Sequence, residues 1–328
     1  MTLKFALLGA GRIGKVHARA IAGNPDAELA FVADPVADAA RAIAEQYSCR
    51  VSTIGEIAAD PTVDAVIICT PTNTHADLIE MFARAGKAIF CEKPVDLDVA
   101  RAESCLKVVR DTGAKLMLGF QRRYDPHFAA VKKAISDGRI GEVEMIQIVS
   151  RDPGAPPMDY IKTSGGIFRD MTIHDFDMAR FLLGEEPATV YATGSVLTDK
   201  TIEGVDYDSA SVTLTTASGK HCTISNSRRA TYGYDQRVEV HGSKGAVSVE
   251  NQRPVTIKLA AGDGFTRPPL HDFFMTRYVE AYAAEIAAFV SVLKDGASPS
   301  PSGEDGLRAL KLADAALRSA KQGVVVVL

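Results

Sequence analysis

The sequence predicts an α/β protein with an N-terminal Rossmann dinucleotide-binding domain and a C-terminal α+β domain containing a large, mostly antiparallel open sheet. Three observations support this fold class. The chain has 328 residues, which suits two domains better than one core. Its first 120 residues or so alternate continuous apolar runs with helical patterns. After about residue 142, the segments become period-two patterns separated by turn signals.

The N-terminal half has the pattern of a doubly wound parallel sheet. Its apolar runs are continuously hydrophobic, as parallel strands covered on both faces must be. These runs are LKFALLGA, ELAFVAD, AVIICTP, KAIFCEKP and KLMLGFQ. Helical patterns separate them, so the segment predicts βαβ units. Pro126 follows the last of these strands, and we place the domain boundary so that the domains are residues 1–122 and 123–328.

The C-terminal half predicts an antiparallel sheet of about six or seven strands, with helices on one face. The predicted strands are EVEMIQIVS, TVYATGSVL, SASVTLTT, HCTISNS, RVEVHG, AVSVEN and VTIKLAA. The residues expected on the packed side are Val212, Leu214, Ile224, Val238 and Val240. Two helices follow, at 278–295 and 303–322, and the second is expected to be capped by Ser302 or Gly303. These helices could pack back on the first domain.

The amino-acid composition indicates which classes of binding partner and which cellular compartment to expect. A formal charge of −4 gives no electrostatic reason to expect nucleic acid or anionic membrane as a partner. No apolar run approaches the roughly 20 residues that span a bilayer. The N-terminus lacks the features of a signal peptide, and the five cysteines contain no CxxC pair. We therefore expect a protein of the reducing cytoplasm, with Cys69 and Cys91 as small core residues.

A dinucleotide fingerprint ends the first predicted strand. Gly9, Gly11 and Gly14 form GxGxxG at the point where a helix begins, so that backbone amides meet a pyrophosphate. Asp34 closes the next strand, where an acidic residue should bind the ribose hydroxyls. No basic residue follows until Arg41, so a 2′-phosphate would lack a counter-charge. The sequence therefore favours NAD over NADP.

Two further strand ends should face the same crevice, because ligands of doubly wound sheets lie at the carboxyl ends of the strands. One is CTPTNTH (69–75) and the other is FCEKP (90–94), whose Lys93 would lie beside the nicotinamide. An equally good interpretation makes Glu92 and Lys93 a surface ion pair before a helix that starts with proline. The candidate cofactor-binding residues are Gly9, Gly11, Arg12, Ile13, Gly14, Asp34, Thr70, Pro71, Thr72, Asn73, His75, Glu92, Lys93 and Gln121.

The stretch GGIFRDMTIHDFDMARFLLG (165–184) predicts a helix with Asp170, His174 and Asp177 on one face. A structural interpretation places Asp170 against the helix dipole and makes His174 a satisfied core histidine. A second interpretation is a metal site, although the sequence offers no further ligand-rich segment. The third is proton transfer, with His174 as base, Asp170 orienting it and Lys93 stabilising an alkoxide. The glycine pair would let the helix N-terminus approach a ligand. With a nicotinamide fold upstream, we favour proton transfer and expect no metal.

Together, these motifs resemble the Gfo/Idh/MocA oxidoreductase family over essentially the whole chain. The resemblance rests on GAGRIG with Asp34, TPTNTH, CEKP and GGIFRDMTIHDFD. It implies NAD-dependent oxidation of myo-inositol to its 2-ketone, with His174 as general base and Asp170 and Lys93 completing a catalytic triad. It also implies a cis Lys93–Pro94 peptide and a homotetramer associating through the open sheet faces.

The resemblance further implies a substrate pocket of polar side chains. The candidate substrate-binding residues are Lys93, Arg123, Asp152, Asp170, His174, Tyr232 and Tyr234. Such residues suit a polyol, since unpaired hydroxyls would each cost about 1–3 kcal/mol. A phosphorylated sugar would need a denser basic cluster, and Arg228 and Arg229 should point to opposite faces. Three alternatives stay open: another polyol (scyllo-inositol, D-chiro-inositol or an aldose), a non-catalytic dinucleotide-binding regulator, and a metal-dependent isomerase or dehydratase.

Overall fold

A computed structural model describes residues 2–328. The described chain divides into two compact units. The first comprises the residues up to Asp125 together with Val279–Leu310, and the second comprises Pro126–Tyr278 and Lys311–Leu328. The boundary expected after residue 122 stays a prediction.

The first unit is built on a six-stranded parallel sheet. Its strands are β1 Leu3–Leu8, β2 Ala27–Ala33, β3 Arg50–Val51, β4 Ala65–Ile68, β5 Ala88–Glu92 and β6 Leu116–Gly119. Its N-terminal helices are α1 Arg12–Ala22, α2 Ala37–Tyr47, α3 Ile54–Ala59, α4 His75–Arg84 and α5 Val99–Thr112. The strand order β3-β2-β1-β4-β5-β6 reverses direction between β1 and β4, as in a Rossmann sheet. The expected α/β fold of this half is confirmed.

Helix α11 (Val279–Lys294) and the start of helix α12 (Gly303–Gln322) complete the first unit, and the residues of α12 from Lys311 onward belong to the second unit. Helix α11 carries Phe289, whose ring packs against Phe5 of β1 and Phe90 of β5, with ring centres 6.0 and 5.7 Å apart. Helix α12 begins after Ser302, which accepts a hydrogen bond from the Asp305 amide and so caps the helix.

The second unit carries a seven-stranded, mostly antiparallel sheet of order β12-β11-β7-β10-β9-β8-β15. Its strands are β7 Val143–Arg151, β8 Pro187–Ser195, β9 Ser209–Thr216, β10 His221–Ser227, β11 Asp235–Gly242, β12 Gly245–Val249 and β15 Val326–Val327. The one parallel pair is β7 with β10. The five residues expected on the packed side are all buried, as the alternation predicts.

The prediction of a sheet strand at VTIKLAA was wrong. The segment VTIKLAA contributes only its end, as β13 (Leu259–Ala261), and pairs with β14 (Gly264–Thr266) in a separate two-stranded ribbon. All six residues of that ribbon are exposed, so the period-two pattern did not mark a buried face. The seventh strand of the sheet is instead β15, which pairs antiparallel with β8.

The remaining helices of the second unit are α6 Pro126–Ser136, α7 Met158–Thr163, α8 Gly166–Asp170, α9 Thr172–Leu183 and α10 Phe274–Arg277. The single helix expected after the glycine pair is broken at Met171, which separates α8 from α9. Helix α9 is buried on nearly every side, and its apolar residues pack over β7 and β10. Asp170 and His174 therefore lie on two different helices. Among residues 2–328, no helix is both long and apolar enough to span a membrane.

Candidate active site

The glycine turn that follows β1 has the geometry of a phosphate-binding loop. Gly9 has φ of +98°, and a Cβ there would lie 2.6 Å from the Cys69 carbonyl oxygen. A Cβ on Gly14 would lie 2.0 Å from the Gly9 carbonyl oxygen, so a side chain at either position would force the backbone apart. Gly11 is exposed and a Cβ there meets nothing within 4 Å. The space above Gly11 is thus open for a ligand.

The N-terminus of α1 suits an anion. No side chain caps it, and no acidic residue lies in its first turn. Its first amides therefore keep hydrogen-bonding capacity, and the helix dipole favours negative charge there. Arg12 is exposed and Ile13 is half-buried at this end. The turn and the helix fit the pyrophosphate of NAD.

Asp34 lies beside the glycine turn. Its carboxylate accepts hydrogen bonds from the Ala10 amide at 2.6 Å and the Val36 amide at 2.7 Å. An ionised carboxylate has further lone pairs, and Asp34 is only half-buried. The residue can therefore accept from ribose hydroxyls while it holds the turn.

The loop after β4 is organised by His75. The His75 ring is buried, with Nδ1 2.7 Å from the Pro94 carbonyl oxygen and Nε2 2.8 Å from that of Thr70. Burial lowers the pKa of His75, although both carbonyl bonds oppose that shift. His75 thus ties the loop after β4 to the loop after β5. Of the other candidates here, Thr70 and Thr72 are half-buried, whereas Pro71 and Asn73 are exposed.

The end of β5 carries Glu92 and Lys93. The Glu92 carboxylate accepts from Nε2 of the buried His17 at 2.7 Å, so this carboxylate is occupied inside the unit. A Cβ on Gly119 would lie 3.0 Å from that carboxylate, so a larger residue there would have to displace the Glu92 side chain slightly. Lys93 is half-buried, and the Lys93–Pro94 peptide is cis, as the resemblance implied.

Two candidates lie in the turn after β6. Gln121 is buried. The Arg123 guanidinium lies 3.1 Å from Asp305, and little of its side chain is exposed. Burial would raise the pKa of Asp305, but Arg123 and the hydrogen bonds from Ser302 outweigh burial and lower it to about 2. Arg123, expected to contact a substrate, therefore also anchors the start of α12.

In the second unit, Asp170 ends α8 with both carboxylate oxygens near polar groups. Its Oδ1 accepts from the Tyr160 hydroxyl at 2.8 Å. Its Oδ2 lies 3.7 Å from a guanidinium nitrogen of Arg228. The same nitrogen lies 3.3 Å from Asp206, whose other oxygen accepts from the Ile167 amide at 3.0 Å. Asp206 thus occupies the N-terminus of α8.

The glycine pair serves this arrangement. A Cβ on Gly166, which has φ of +82°, would lie 2.7 Å from Asp206 Oδ1. The expectation that the pair lets a ligand approach this helix end was therefore wrong, because a carboxylate of the chain itself lies there.

The predicted row of Asp170, His174 and Asp177 is divided between two helices, because Asp170 ends α8 and the other two residues lie on α9. His174 is half-buried in the first turn of α9, where its amide donates to the Met171 carbonyl at 3.3 Å. Asp177 is fully buried, 3.8 Å from Arg180. Within residues 2–328, no three His, Cys, Asp or Glu side chains are grouped to hold a metal ion.

The other substrate candidates differ in availability. The Tyr232 hydroxyl donates to Asp235 at 2.6 Å and accepts from Arg151 at 3.0 Å, while its side chain stays exposed. Burial, with the bond to Asp235, raises the pKa of Tyr232. Tyr234 is buried, and its ring packs against the rings of Phe273 and Tyr278. Asp152 is half-buried just after β7.

Sequence reasoning missed Tyr160, Asp206 and Arg228 as neighbours of Asp170. Arg228 and Arg229 do point apart, one buried and one exposed, as expected. The buried partner of Arg228 could not be read from spacing, since Asp206 and Asp170 come from separate loops and helices. The sequence itself offered only an arginine directly after a predicted strand.

Comparison with known proteins covers both units. A family described as "Oxidoreductase family, NAD-binding Rossmann fold" matches residues 3–120. A second, described as "GFO/IDH/MocA C-terminal domain", matches residues 128–248. Inositol 2-dehydrogenase of Rhizobium meliloti (strain 1021) is 71% identical over 320 residues, which cover 97% of each chain.

Solved structures of similar proteins share the fold. A myo-inositol dehydrogenase from Corynebacterium glutamicum aligns with a TM-score of 0.97 and 45% identity, covering 100% of this chain and 99% of that one. A scyllo-inositol dehydrogenase from Lactobacillus casei with bound NAD(H) and scyllo-inositol aligns with a TM-score of 0.93 and 27% identity, again covering 100% and 99%.

Proposed function

Because the chain belongs to the GFO/IDH/MocA oxidoreductase family, with NAD as its cofactor, we propose that it oxidises myo-inositol to 2-keto-myo-inositol. The observation that carries this proposal is the 71% identity, over 97% of both chains, to an inositol 2-dehydrogenase. The enzyme would therefore be an NAD-dependent inositol 2-dehydrogenase.

The first unit would hold the cofactor. The amides at the start of α1 would bind the pyrophosphate above Gly11, and Asp34 would accept hydrogen bonds from the ribose hydroxyls. The loops after β4 and β5 would lie along the nicotinamide end. When bound, NAD supplies a hydride acceptor.

The chain's own residues would accept the proton and stabilise the negative charge that develops on the reacting oxygen. Oxidation of an alcohol releases a hydride from carbon and a proton from the hydroxyl. His174 would accept that proton as general base. Lys93 would stabilise the alkoxide with its ammonium group, and Asp170 would fix the position of the reacting hydroxyl or of the base. Half-burial of all three side chains leaves each accessible.

Polar side chains of the candidate pocket support a polyhydroxylated substrate. Asp152 and Tyr232 are both accessible and could pair with ring hydroxyls. Arg123 and Tyr234 stay candidates, although Asp305 and the aromatic rings already hold them. A second candidate substrate is scyllo-inositol, because the Lactobacillus casei protein of the same fold was solved with it.

We also propose a homotetramer in the cytoplasm. One face of the seven-stranded sheet is exposed along its centre, including Thr213, Thr223 and Glu239. In the tetramer, this face would pack against other copies of the chain. Sedimentation measurements would give the number of copies. A dimer or monomer at micromolar concentration would contradict the proposal.

A substrate panel tests the function. NADH formation is followed with myo-inositol, scyllo-inositol, D-chiro-inositol and glucose, each with NAD and with NADP. We expect the highest kcat/KM for myo-inositol with NAD. Turnover of scyllo-inositol alone would select the second candidate, and no turnover of any polyol, with NADH still bound, would overturn the enzymatic proposal.

A further inference from the structure

We propose that Arg228 is the positioning residue for Asp170: its buried guanidinium lies between Asp206 and Asp170 and fixes the two ends of α8. The inference rests on the proposed function, because it assigns Arg228 a role through a carboxylate of the candidate site.

The geometry places Arg228 beneath α8. Arg228 directly follows β10, and its amide donates to the Asp208 carbonyl at 2.8 Å, which fixes the backbone. Its guanidinium lies 3.3 Å from Asp206, which binds the first turn of α8, and 3.7 Å from Asp170, the last residue of that helix. A helix of five residues has little stability of its own. Contacts at both ends therefore decide where Asp170 lies.

Because Arg228 is buried, its positive charge needs nearby negative charge to offset the loss of hydration. Arg228 is 1% exposed, and within the described chain its guanidinium nitrogens make no hydrogen bond. The carboxylates of Asp206 and Asp170 balance this charge, and their attraction strengthens in a water-poor interior. Burial raises the pKa of Asp206, and the Arg228 charge opposes that rise. Asp206 and Arg228 thus depend on each other.

The same burial excludes direct substrate binding by Arg228. Its effect on the reaction must pass through Asp170, whose carboxylate also faces the Tyr160 hydroxyl. Tyr160 and Arg228 approach different oxygens of that carboxylate. Together they would leave it in one orientation, which is the requirement for a group that orients a base or a hydroxyl.

The test compares Arg228→Met with Arg180→Met. Arg180 is a buried arginine of the same unit that pairs with Glu186, so its loss controls for a missing buried charge. We expect Arg228→Met to lower kcat/KM for the polyol by about 10- to 100-fold, because displaced groups lose catalytic efficiency steeply. Arg180→Met should change kcat/KM by less than about twofold, because Arg180 lies in the last turn of α9 whereas His174 lies in its first turn. NADH affinity should stay unchanged in both.

A double mutant separates positioning from a structural role. In the Asp170→Asn background, Arg228→Met should add little further loss, since its effect passes through Asp170. Independent, multiplicative losses would overturn the inference. So would an Arg228→Met enzyme that folds and keeps kcat/KM within about threefold of the parent.

A conservative variant covers the case in which Arg228→Met does not fold. Lysine keeps the charge, but its ammonium ends one bond sooner than the guanidinium nitrogen that lies near both carboxylates. Arg228→Lys should therefore retain folding and lose about tenfold in kcat/KM. Parental activity in Arg228→Lys would contradict the bridging role. Asp170→Asn reports separately on the proposed function. Full turnover in Asp170→Asn would contradict the role of Asp170. An inactive Asp170→Asn together with fully active Arg228 variants would contradict only the positioning role of Arg228.

Discussion

Asp34 accepts a hydrogen bond from the Ala10 amide at 2.6 Å, so the carboxylate that follows β2 holds the glycine turn that follows β1. Its second oxygen accepts from the Val36 amide at 2.7 Å. The residue that should bind ribose therefore also organises the phosphate loop. Cofactor choice and loop geometry are coupled through one side chain.

Asp34→Ser should weaken NAD binding and relax the preference against NADP. Serine is shorter and uncharged, so it loses both the anchor to Ala10 and the repulsion of a 2′-phosphate. The measurement is the ratio of dissociation constants for NADH and NADPH by fluorescence titration. Asp34→Asn is the matched control, because it keeps an acceptor for Ala10 and removes only the charge. An unchanged NADH/NADPH ratio in both variants would refute the role assigned to Asp34.

Gly11→Ala and Gly14→Ala should separate binding from folding. A Cβ on Gly14 lies 2.0 Å from the Gly9 carbonyl oxygen, so Gly14→Ala should lower Tm and abolish NADH binding. Gly11 has φ of −71° and open space around its Cβ, so alanine fits without strain. Gly11→Ala should therefore keep the parental Tm and bind NADH more weakly, because the methyl group fills the space that phosphate needs. Equal NADH affinity in Gly11→Ala and the parent would contradict the proposal that the pyrophosphate binds at this turn.

The sequence predicted those features whose signal is local. The glycine turn is set by contiguous residues, and Asp34 was identified by its place at the end of the next strand. The buried alternation of Val212 and Leu214 follows from strand geometry. The two-residue β15 pairs with β8 only after the chain has folded, and nothing in Val326–Val327 marks it. The prediction for VTIKLAA was wrong for the converse reason: its residues alternate, but neither face of the segment is packed against the protein.

The candidate site was predicted by residue type more than by geometry. Asp170 and His174 were identified, yet they were placed on one helix because Met171 gives no sign of a break. The neighbours of Asp170 are Tyr160 and Arg228, which tertiary folding brings together. Spacing along one segment carries no information about such partners.

Asp305 should make stability depend on pH in acid. Its folded pKa of about 2 lies below the unfolded value of roughly 3.9, so its ionised form favours the folded state. That stabilisation, about 2 kcal/mol, is complete above about pH 5 and is lost as pH falls through the folded pKa. The difference in free energy of unfolding between the parent and Asp305→Asn should thus be constant from pH 8 to pH 5 and shrink at lower pH.

Urea titrations at pH 7, 5, 4 and 3.5 measure this difference. Asp111→Asn is the control, because Asp111 forms an exposed pair with Lys107 worth at most about 0.5 kcal/mol. A difference for Asp305→Asn that grows on acidification would contradict the assigned direction of the pKa shift.

Asp175 should fix α9, and with it His174, on the sheet. Its carboxylate is fully buried and accepts from Ser150 of β7 at 2.5 Å and from Asn226 of β10 at 2.7 Å. Thr172 donates to the same Asn226 side chain at 2.7 Å, so two residues of α9 hold one amide. Asp175→Ala would remove the nearest acceptor of both donors and leave them only the longer bonds, from Ser150 to Gln236 at 3.2 Å and from Asn226 to the Ser150 carbonyl at 3.4 Å. We expect this loss to cost about 1–3 kcal/mol.

We therefore expect Asp175→Ala to speed amide hydrogen exchange throughout α9 and to lower kcat without weakening NADH binding. Loss of kcat follows because His174, the adjacent residue, would no longer be held in one position. Asp159→Asn, an exposed change on α7, should alter neither quantity. If Asp175→Ala retained both the parental exchange rates and kcat, α9 would be held by its apolar packing alone, and the polar network beneath His174 would have no part in placing it.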